Sequence, residues 1–266
     1  RAIRAYWVAH FNVWLVHPLD ATGAVQRGRL TGYYEPELTG SRQRAGAFTV
    51  PLARPPADLL TIDLADAMPE LAGLRLRGRL VEDADSKRRQ VVPYWTRAEL
   101  QQGGHLNGLE LLWVNNPIEA FFLQVQGSGR VKLADGPNKG RVVRLGYADT
   151  NGHPYLSIGR WLVEQGEMLP EQASMQGIQE WARANPKRLN ELLNQNPSYV
   201  FFRELPLGDP SAGPVGSLNI ALTAGFSAAV DPAYTPLGAP IVISSTHPET
   251  RAPLKRLVFA QDTGSA

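Results

Sequence analysis

The stretch that decides the fold is the last one, Leu257-Val258-Phe259-Ala260-Gln261-Asp262-Thr263-Gly264-Ser265-Ala266. Its first four residues are apolar, which predicts a short buried strand. The strand carries Asp262 into a turn of Thr, Gly and Ser, where hydroxyls and backbone N–H groups can hold a carboxylate. Gly264 would let the backbone approach a ligand closely. Two interpretations of the stretch follow: a carboxylate site, or an Asx-type turn that only ends a strand.

The composition is that of a globular protein. Of the 266 residues, 43% are hydrophobic and 20% are charged, which suits one large domain or two of ordinary size. The net charge of +2 is too small to favour a nucleic acid partner. The chain has no cysteine, and its five histidines show no pair at metal-ligand spacing. We therefore expect no disulfide, no metal site and no cofactor.

Residues 28–36 are predicted to form a strand that Pro36 ends. Tyr33 and Tyr34 would point to opposite faces of that strand. One ring could pack in the protein while the other lies on an open surface, where aromatic rings commonly hold sugars. A buried tyrosine pair without a ligand is the alternative.

Residues 122–126 show the period of a strand, with Gln124 and Gln126 on one face. An amide both donates and accepts hydrogen bonds, which suits the hydroxyl and acetamido groups of a sugar. The Gly-Ser-Gly run at residues 127–129 lacks the glycine fingerprint and the Lys-Ser/Thr of a phosphate loop. We therefore predict a sugar contact here rather than a nucleotide site.

Capping residues and turns predict further elements. Thr96, Ser157 and Ser174 are expected N-caps of helices. Residues 131–134 and 142–145 are expected to form a β-hairpin, because the segment between them is rich in turn residues.

The last part of the chain differs in character. Residues 206–216 hold three prolines and three glycines, which indicates a domain boundary. Asp231 follows one of the strands beyond it, as Asp262 follows another. Short strands are expected at residues 221–223, 228–230, 240–244 and 257–260. A series of short strands of this kind indicates a small β-barrel.

With these pieces in place, the chain resembles the membrane-bound lytic murein transglycosylase A family. Each matching motif is weak evidence by itself, but six motifs in the same order as in the family are specific evidence. They are Thr31-Gly32-Tyr33-Tyr34-Glu35-Pro36, Gln124-Val125-Gln126-Gly127-Ser128-Gly129, Asn151-Gly152-His153-Pro154-Tyr155 with Ser157-Ile158-Gly159-Arg160, Pro197-Ser198-Tyr199-Val200-Phe201-Phe202, Ala229-Val230-Asp231 with Pro236-Leu237-Gly238, and Asp262-Thr263-Gly264-Ser265-Ala266.

The resemblance implies a mainly β fold with some α-helix. It implies a double-psi β-barrel domain, at residues 1–36 and 213–266, and a smaller inserted β-rich domain at residues 37–212. A groove between the two would bind the glycan strands of peptidoglycan. The hypothesis requires Gln126 and Asp262 to share one opening.

The resemblance also implies an enzyme of cell wall turnover. The family cleaves the β-1,4 bond between N-acetylmuramic acid and N-acetylglucosamine without water, giving a 1,6-anhydromuramyl product. Asp262 and Asp231 match supporting carboxylates, while the main acid is expected beyond Ala266, so we expect this fragment to bind glycan without turning it over. The expected glycan contacts are Thr31, Tyr33, Tyr34, Gln124, Gln126, Ser128 and Gly129.

Two other functions stay open at this point. Residues 259–265 look like the Asp-Thr-Gly-Ser turn of an aspartic peptidase, in which two such aspartates share a proton. The chain has no second copy of that turn, so a peptidase would have to be a dimer. A glycan-binding module without catalysis is the other alternative.

The resemblance further implies a location. We expect a monomer that faces the periplasm as a lipoprotein anchored to the outer membrane, with the anchor outside this sequence. Peptidoglycan strands are the expected partner.

Overall fold

Strands make up most of the regular structure, with short α-helices between them, so the chain is mainly β as predicted. The structure is a computed structural model that describes residues 2–17, 19–26, 28, 30–32, 34–71, 74–206, 208–209, 212–247 and 250–264. The described residues before residue 34 form one compact unit, and Tyr34–Gly264 form another. None of the helices in these ranges is long and apolar enough to cross a membrane.

The elements follow one another along the chain within these bounds. The helices are α1 (Ala2–His10), α2 (Arg97–Gln102), α3 (Pro117–Gln126), α4 (Ile158–Glu164), α5 (Met175–Ala184) and α6 (Leu189–Asn194). The strands are β1 (Glu37–Ser41), β2 (Val50–Ala53), β3 (Leu60–Asp63), β4 (Arg75–Glu82), β5 (Arg89–Pro93), β6 (Glu110–Val114), β7 (Gly129–Leu133), β8 (Val142–Thr150), β9 (Val200–Leu205), β10 (Ser227–Val230), β11 (Pro240–Thr246) and β12 (Pro253–Thr263).

A six-stranded sheet in the order β2-β6-β1-β7-β8-β9 is the centre of the larger unit. Its β1 and β7 strands run parallel, and its other neighbours are antiparallel. The predicted hairpin is confirmed as β7 and β8, whose pairing places Arg130 opposite Arg144. Such a pair of like charges on one face of a sheet is unfavourable unless an anion lies between them.

Helix α3 lies between two hydrophobic cores. Its Ala120 and Leu123 pack in the core of the six-stranded sheet. Its Ile118 and Phe121 pack in a second core, with α4, α5 and α6. The helix is therefore apolar over most of its surface, as expected for an element buried on two sides.

The strand predicted at residues 122–126 is wrong, because these residues belong to α3. Asn116 caps the start of that helix, and Gly127 ends it with a φ of 76° that glycine adopts without strain. Short apolar runs of this kind do not separate a buried helix from a buried strand by period alone. The predicted N-caps Thr96, Ser157 and Ser174 are confirmed.

The strand predicted at residues 28–36 is also absent from the part of that segment which the structure describes. Pairing with β7 starts only at Glu37, where β1 begins. Pro36 contributes its carbonyl oxygen, which accepts a hydrogen bond from Arg130 N at 2.8 Å. The alternating sequence pattern of residues 28–36 thus lies just before β1 and does not coincide with it.

Two three-stranded sheets complete the described fold, in the orders β3-β4-β5 and β10-β12-β11. In the C-terminal sheet, β12 runs parallel to β10 and antiparallel to β11. Asp262 lies inside β12, opposite Ala229, so the turn predicted at Asp262 is wrong. The strand predicted at residues 221–223 is only an isolated bridge between Val215 and Ala221.

Candidate functional site

The larger unit contains an open cleft with a volume of about 940 Å³. One side is the turn between α3 and β7, another is β8 with β9, and a third is the segment before β10 with the end of β12. The side chains that line it are mostly polar. The lining residues are Glu35, Gln126, Gly127, Ser128, Arg144, Leu145, Gly146, Tyr147, Arg203, Leu205, Pro206, Pro214, Val215, Gly216, Ser217, Asn219, Asp262 and Thr263.

Gln126 and Asp262 both line this cleft, which is the condition that the sequence hypothesis set. Gln126 is the last residue of α3, and Ser128 follows one residue after the glycine that ends the helix. Both are partly exposed. The left-handed glycine turns the chain from the helix into β7 and leaves an amide and a hydroxyl at the cleft.

Gln124 points elsewhere, into the protein. Residues two apart on a helix lie nearly opposite each other, whereas on a strand they share a face. Gln124 is only 5% exposed, and its Oε1 accepts a hydrogen bond from Arg97 Nη2. The prediction that Gln124 and Gln126 lie on one face is therefore wrong.

Arg97 explains why an amide is buried there. Its guanidinium also donates to the carbonyl oxygens of Asn196 and Ser198, at 3.1 and 2.7 Å, and lies over the ring of Phe121. Burial lowers the pKa of Arg97 to about 10, because a low-dielectric surrounding disfavours the charged form. Gln124 thus solvates a buried cation.

Glu35 forms a buried ion cluster at the edge of the cleft. Its side chain is 9% exposed and lies between Arg130 and Arg144, which are 21% and 5% exposed. Arg130 Nε donates to Glu35 Oε2 at 2.7 Å, and Arg144 Nε lies 3.2 Å from Glu35 Oε1. The carboxylate is the anion that lets two arginines stand opposite each other on β7 and β8.

The same arginines hold the chain on its way to the C-terminal sheet. Arg130 Nη2 donates to the carbonyl oxygen of Ala212 at 2.9 Å, and Arg144 Nη2 donates to that same oxygen. The cluster therefore connects the six-stranded sheet to the segment that contributes Ser217 and Asn219 to the cleft.

Asp262 is held by Ser217 from a neighbouring turn. The backbone N–H and the hydroxyl of Ser217 donate to Asp262 Oδ1 at 3.0 and 2.9 Å. Gly216 allows the turn to approach β12, since a Cβ at that position would lie 2.6 Å from the carbonyl oxygen of Gln261. The hydrogen bonds fix the direction of the carboxylate at the edge of the cleft.

Asp231 follows the end of β10, the parallel neighbour of β12. It is exposed, and its Oδ1 accepts a hydrogen bond from Ala233 N at 2.9 Å. The two aspartates thus come from adjacent strands, but Asp231 does not line the cleft.

The remaining predicted contacts have different surroundings. Thr31 is exposed in the first compact unit, and Tyr33 lies outside the described residues. Tyr34 is exposed, and its hydroxyl lies 3.3 Å from Met175 Sδ. Gly129 begins β7, where a Cβ would lie 2.8 Å from the carbonyl oxygen of Pro36, so its lack of a side chain serves packing.

Sequence reasoning missed several residues of the cleft. Glu35 lies within the motif of residues 31–36, but the local sequence does not reveal its ion cluster, because its two arginine partners are far away in the sequence. Ser217 lies in a stretch that its prolines and glycines marked only as a boundary. Tyr147 and Arg203 carry no local signal of function, since they come to the cleft only through the pairing of β8 with β9.

The donor set of the described residues does not suggest a metal. No group of three His, Cys, Asp or Glu side chains lies close enough together to hold an ion in these ranges.

A mainly β protein with an open cleft lined by amides, hydroxyls, a carboxylate and an aromatic ring is typical of proteins that bind polysaccharides. Comparison with known proteins narrows this class. The family model for the MltA specific insert domain matches residues 29–203, and the model for the 3D domain matches residues 226–266. The chain belongs to the membrane-bound lytic murein transglycosylase A family.

Individual relatives agree with this assignment. Membrane-bound lytic murein transglycosylase A of Escherichia coli K12 is 30% identical over 261 residues, covering 96% of this chain and 60% of that protein. MltA from Neisseria gonorrhoeae is 40% identical with a TM-score of 0.72, covering 89% of this chain and 63% of that one. The structure of E. coli MltA with bound chitohexaose is 28% identical with a TM-score of 0.69, covering 89% and 61%.

The family predicted from the sequence is therefore confirmed, and the chain spans about 60% of the length of the E. coli relative. These comparisons support neither the peptidase alternative nor the non-catalytic module.

Proposed function

We propose that this chain supplies the glycan-binding cleft of a peptidoglycan lytic transglycosylase. The enzyme cleaves the β-1,4 bond between N-acetylmuramic acid and N-acetylglucosamine and leaves a 1,6-anhydromuramyl end. The observation that carries the proposal is that Gln126 and Asp262 line one cleft although they lie far apart in the sequence. The chitohexaose in the E. coli relative supports an N-acetylglucosamine polymer as the ligand.

The cleft has the chemistry that a glycan strand needs. Gln126, Ser128, Ser217 and Asn219 offer donors and acceptors to hydroxyl and acetamido groups. The ring of Tyr147, half exposed at the same cleft, offers an apolar face for a sugar ring. An open groove with dispersed polar contacts suits a polymer better than a small molecule that must be enclosed.

The reaction needs a single acid, because the nucleophile belongs to the substrate. A carboxylic acid gives its proton to the bridging oxygen as that bond breaks. The 6-hydroxyl of the muramyl residue attacks the anomeric carbon, and the carboxylate takes the hydroxyl proton, so the acid is restored. A hydrolase would need a second carboxylate to activate water or act as the nucleophile.

We assign supporting roles to Asp262 and Asp231. Ser217 holds the Asp262 carboxylate at the cleft, where it can orient a sugar hydroxyl by hydrogen bonding. Asp231 stands at the end of the adjacent strand.

The finer architecture belongs to the same proposal. The parallel pairing of β10 with β12 and the match to the 3D domain support a double-psi β-barrel at residues 213–266 together with residues 1–36. The six-stranded sheet and the insert-domain match support an inserted domain at residues 37–212. The name of the E. coli relative, a membrane-bound enzyme, supports attachment to a membrane. A periplasmic position with a lipid anchor in the outer membrane is part of the same proposal.

The product of the reaction tests the function. The full-length protein is incubated with purified murein sacculi in isotope-labelled water, and the soluble products are analysed by mass spectrometry. We expect 1,6-anhydromuropeptides without label, and no effect of pepstatin. Labelled reducing ends would identify a hydrolase, and peptide cleavage that pepstatin blocks would identify an aspartic peptidase.

A further inference from the structure

The cleft contains an arginine that the hydrogen bonds and ion pairs of the fold do not use. Arg203 lies on β9, is exposed and lines the cleft. It forms no ion pair or hydrogen bond with the residues that the structure describes. The other arginine of the cleft, Arg144, is nearly fully buried and paired with Glu35. Among the described residues that line the cleft, Arg203 is thus a cation that is available to a ligand.

The carboxylates on β8 and β9 are already paired with other arginines. Asp149 accepts a hydrogen bond from Arg77 Nε at 2.8 Å. Glu204, the residue after Arg203, pairs with Arg42. Since successive residues on a strand point to opposite faces, Glu204 also lies on the other side of the sheet from Arg203.

The neighbours of Arg203 in the cleft are apolar and carry no charge. The partner of Arg203 in the pairing of β8 with β9 is Gly146, which also lines the cleft. Residues directly opposite each other on antiparallel strands share a face. The side chain of Leu205, two residues along β9, covers Gly146, since a Cβ there would lie 2.6 Å from Leu205 Cδ1. A ligand in the cleft can therefore reach the exposed Arg203 guanidinium beside the apolar side chain of Leu205.

We infer that Arg203 binds a carboxylate carried by the glycan strand and selects muramyl strands over neutral chitin-like ones. This inference rests on the proposed function. The other polar groups of the cleft suit neutral hydroxyl and acetamido groups, whereas guanidinium matches carboxylate in a two-point geometry. In peptidoglycan the carboxylate is either the free lactyl group of a muramyl residue or an acidic group of the stem peptide.

Four ligands distinguish the effect of a ligand carboxylate from the effect of the shape of the glycan strand. They are peptide-free murein strands with free lactyl carboxylates, the methyl esters of the same strands, strands that carry stem peptides, and chitohexaose. The first three are assayed as substrates of the full-length protein by kcat/KM, and chitohexaose is assayed as an inhibitor. Arg203→Gln removes the charge, Arg203→Lys keeps it without the two-point geometry, and Arg160→Gln removes an equal charge from an exposed helix position.

We expect Arg203→Gln to lower kcat/KM on peptide-free strands about tenfold, as for loss of one charge-assisted contact in a partly hydrated cleft. The methyl esters and the chitohexaose inhibition constant should change less than twofold. Arg203→Lys should fall between the wild type and Arg203→Gln, and Arg160→Gln should match the wild type.

The outcomes are distinguishable. A loss confined to peptide-bearing strands would support the inference and identify the stem peptide as the source of the carboxylate. Equal losses on charged and neutral ligands would overturn it, because Arg203 would then be a general contact. A wild-type protein that neither cleaves murein nor binds chitohexaose would instead refute the proposed function.

Discussion

Replacing Glu35 with Gln tests whether the buried ion cluster stabilises the fold. The substitution keeps the shape of the side chain but removes the charge that lies between Arg130 and Arg144. Breaking a buried ion pair by removing one partner costs about 3–5 kcal/mol, because a cation is left without compensation. Since Arg130 keeps 21% exposure, we expect the lower end, about 3 kcal/mol.

Urea denaturation followed by circular dichroism measures the effect. With an m value of about 3 kcal/mol per molar urea, the midpoint should fall by about 1 M. Glu204→Gln is the matched control, since its pair with Arg42 is exposed on both sides, at 37% and 42%, and should cost less than about 1 kcal/mol.

A double variant locates the cause of the loss. Adding Arg144→Met to Glu35→Gln removes one of the uncompensated cations, so part of the lost stability should return. If Glu35→Gln lowers the free energy of unfolding no more than Glu204→Gln does, water effectively solvates the cluster. The argument that burial makes the Glu35 cluster important for stability is then refuted.

Three further substitutions test the roles assigned to two cleft residues and to the buried Gln124. Gln126→Ala should weaken chitohexaose inhibition by about 1–3 kcal/mol with unchanged stability, because sugar groups lose a partner; unchanged inhibition would remove Gln126 from the site. Gln124→Ala should do the reverse, lowering the free energy of unfolding by about 1–3 kcal/mol, since it leaves the buried Arg97 short of an acceptor; a loss of inhibition alone would contradict this role. Ser217→Ala should lower kcat on murein about tenfold, because Asp262 loses a hydroxyl that orients it, and Ser217→Thr should restore most of that loss; an unchanged kcat would mean that the backbone N–H suffices.

Local chemistry allowed some elements to be predicted with their boundaries. Thr96, Ser157 and Ser174 begin helices because a hydroxyl at that position accepts from a free backbone N–H, which depends on neighbours within one turn. The hairpin of β7 and β8 likewise depends on the turn between its strands. The order of six short motifs was sufficient for the family.

Packing decided the elements that were predicted wrongly. Residues 122–126 are helical because α3 is buried between two cores, which makes most of its surface apolar and obscures its period. Asp262 lies within a strand rather than a turn because β10 pairs with β12 as far as Thr263. The local sequence identifies neither the two cores that enclose α3 nor the pairing of β10 with β12.

By itself the sequence determined the family, the mainly β character and the presence of Gln126, Ser128 and Asp262 as candidates, because these depend on residue types and their order. Only the tertiary structure decided that Gln124 faces inward while Gln126 faces the cleft. It alone brought Glu35 between two arginines, Ser217 to Asp262, and Arg203 into the cleft. The physical reason is that charge pairing and burial depend on contacts between distant segments, and these arise only when the sheets pair.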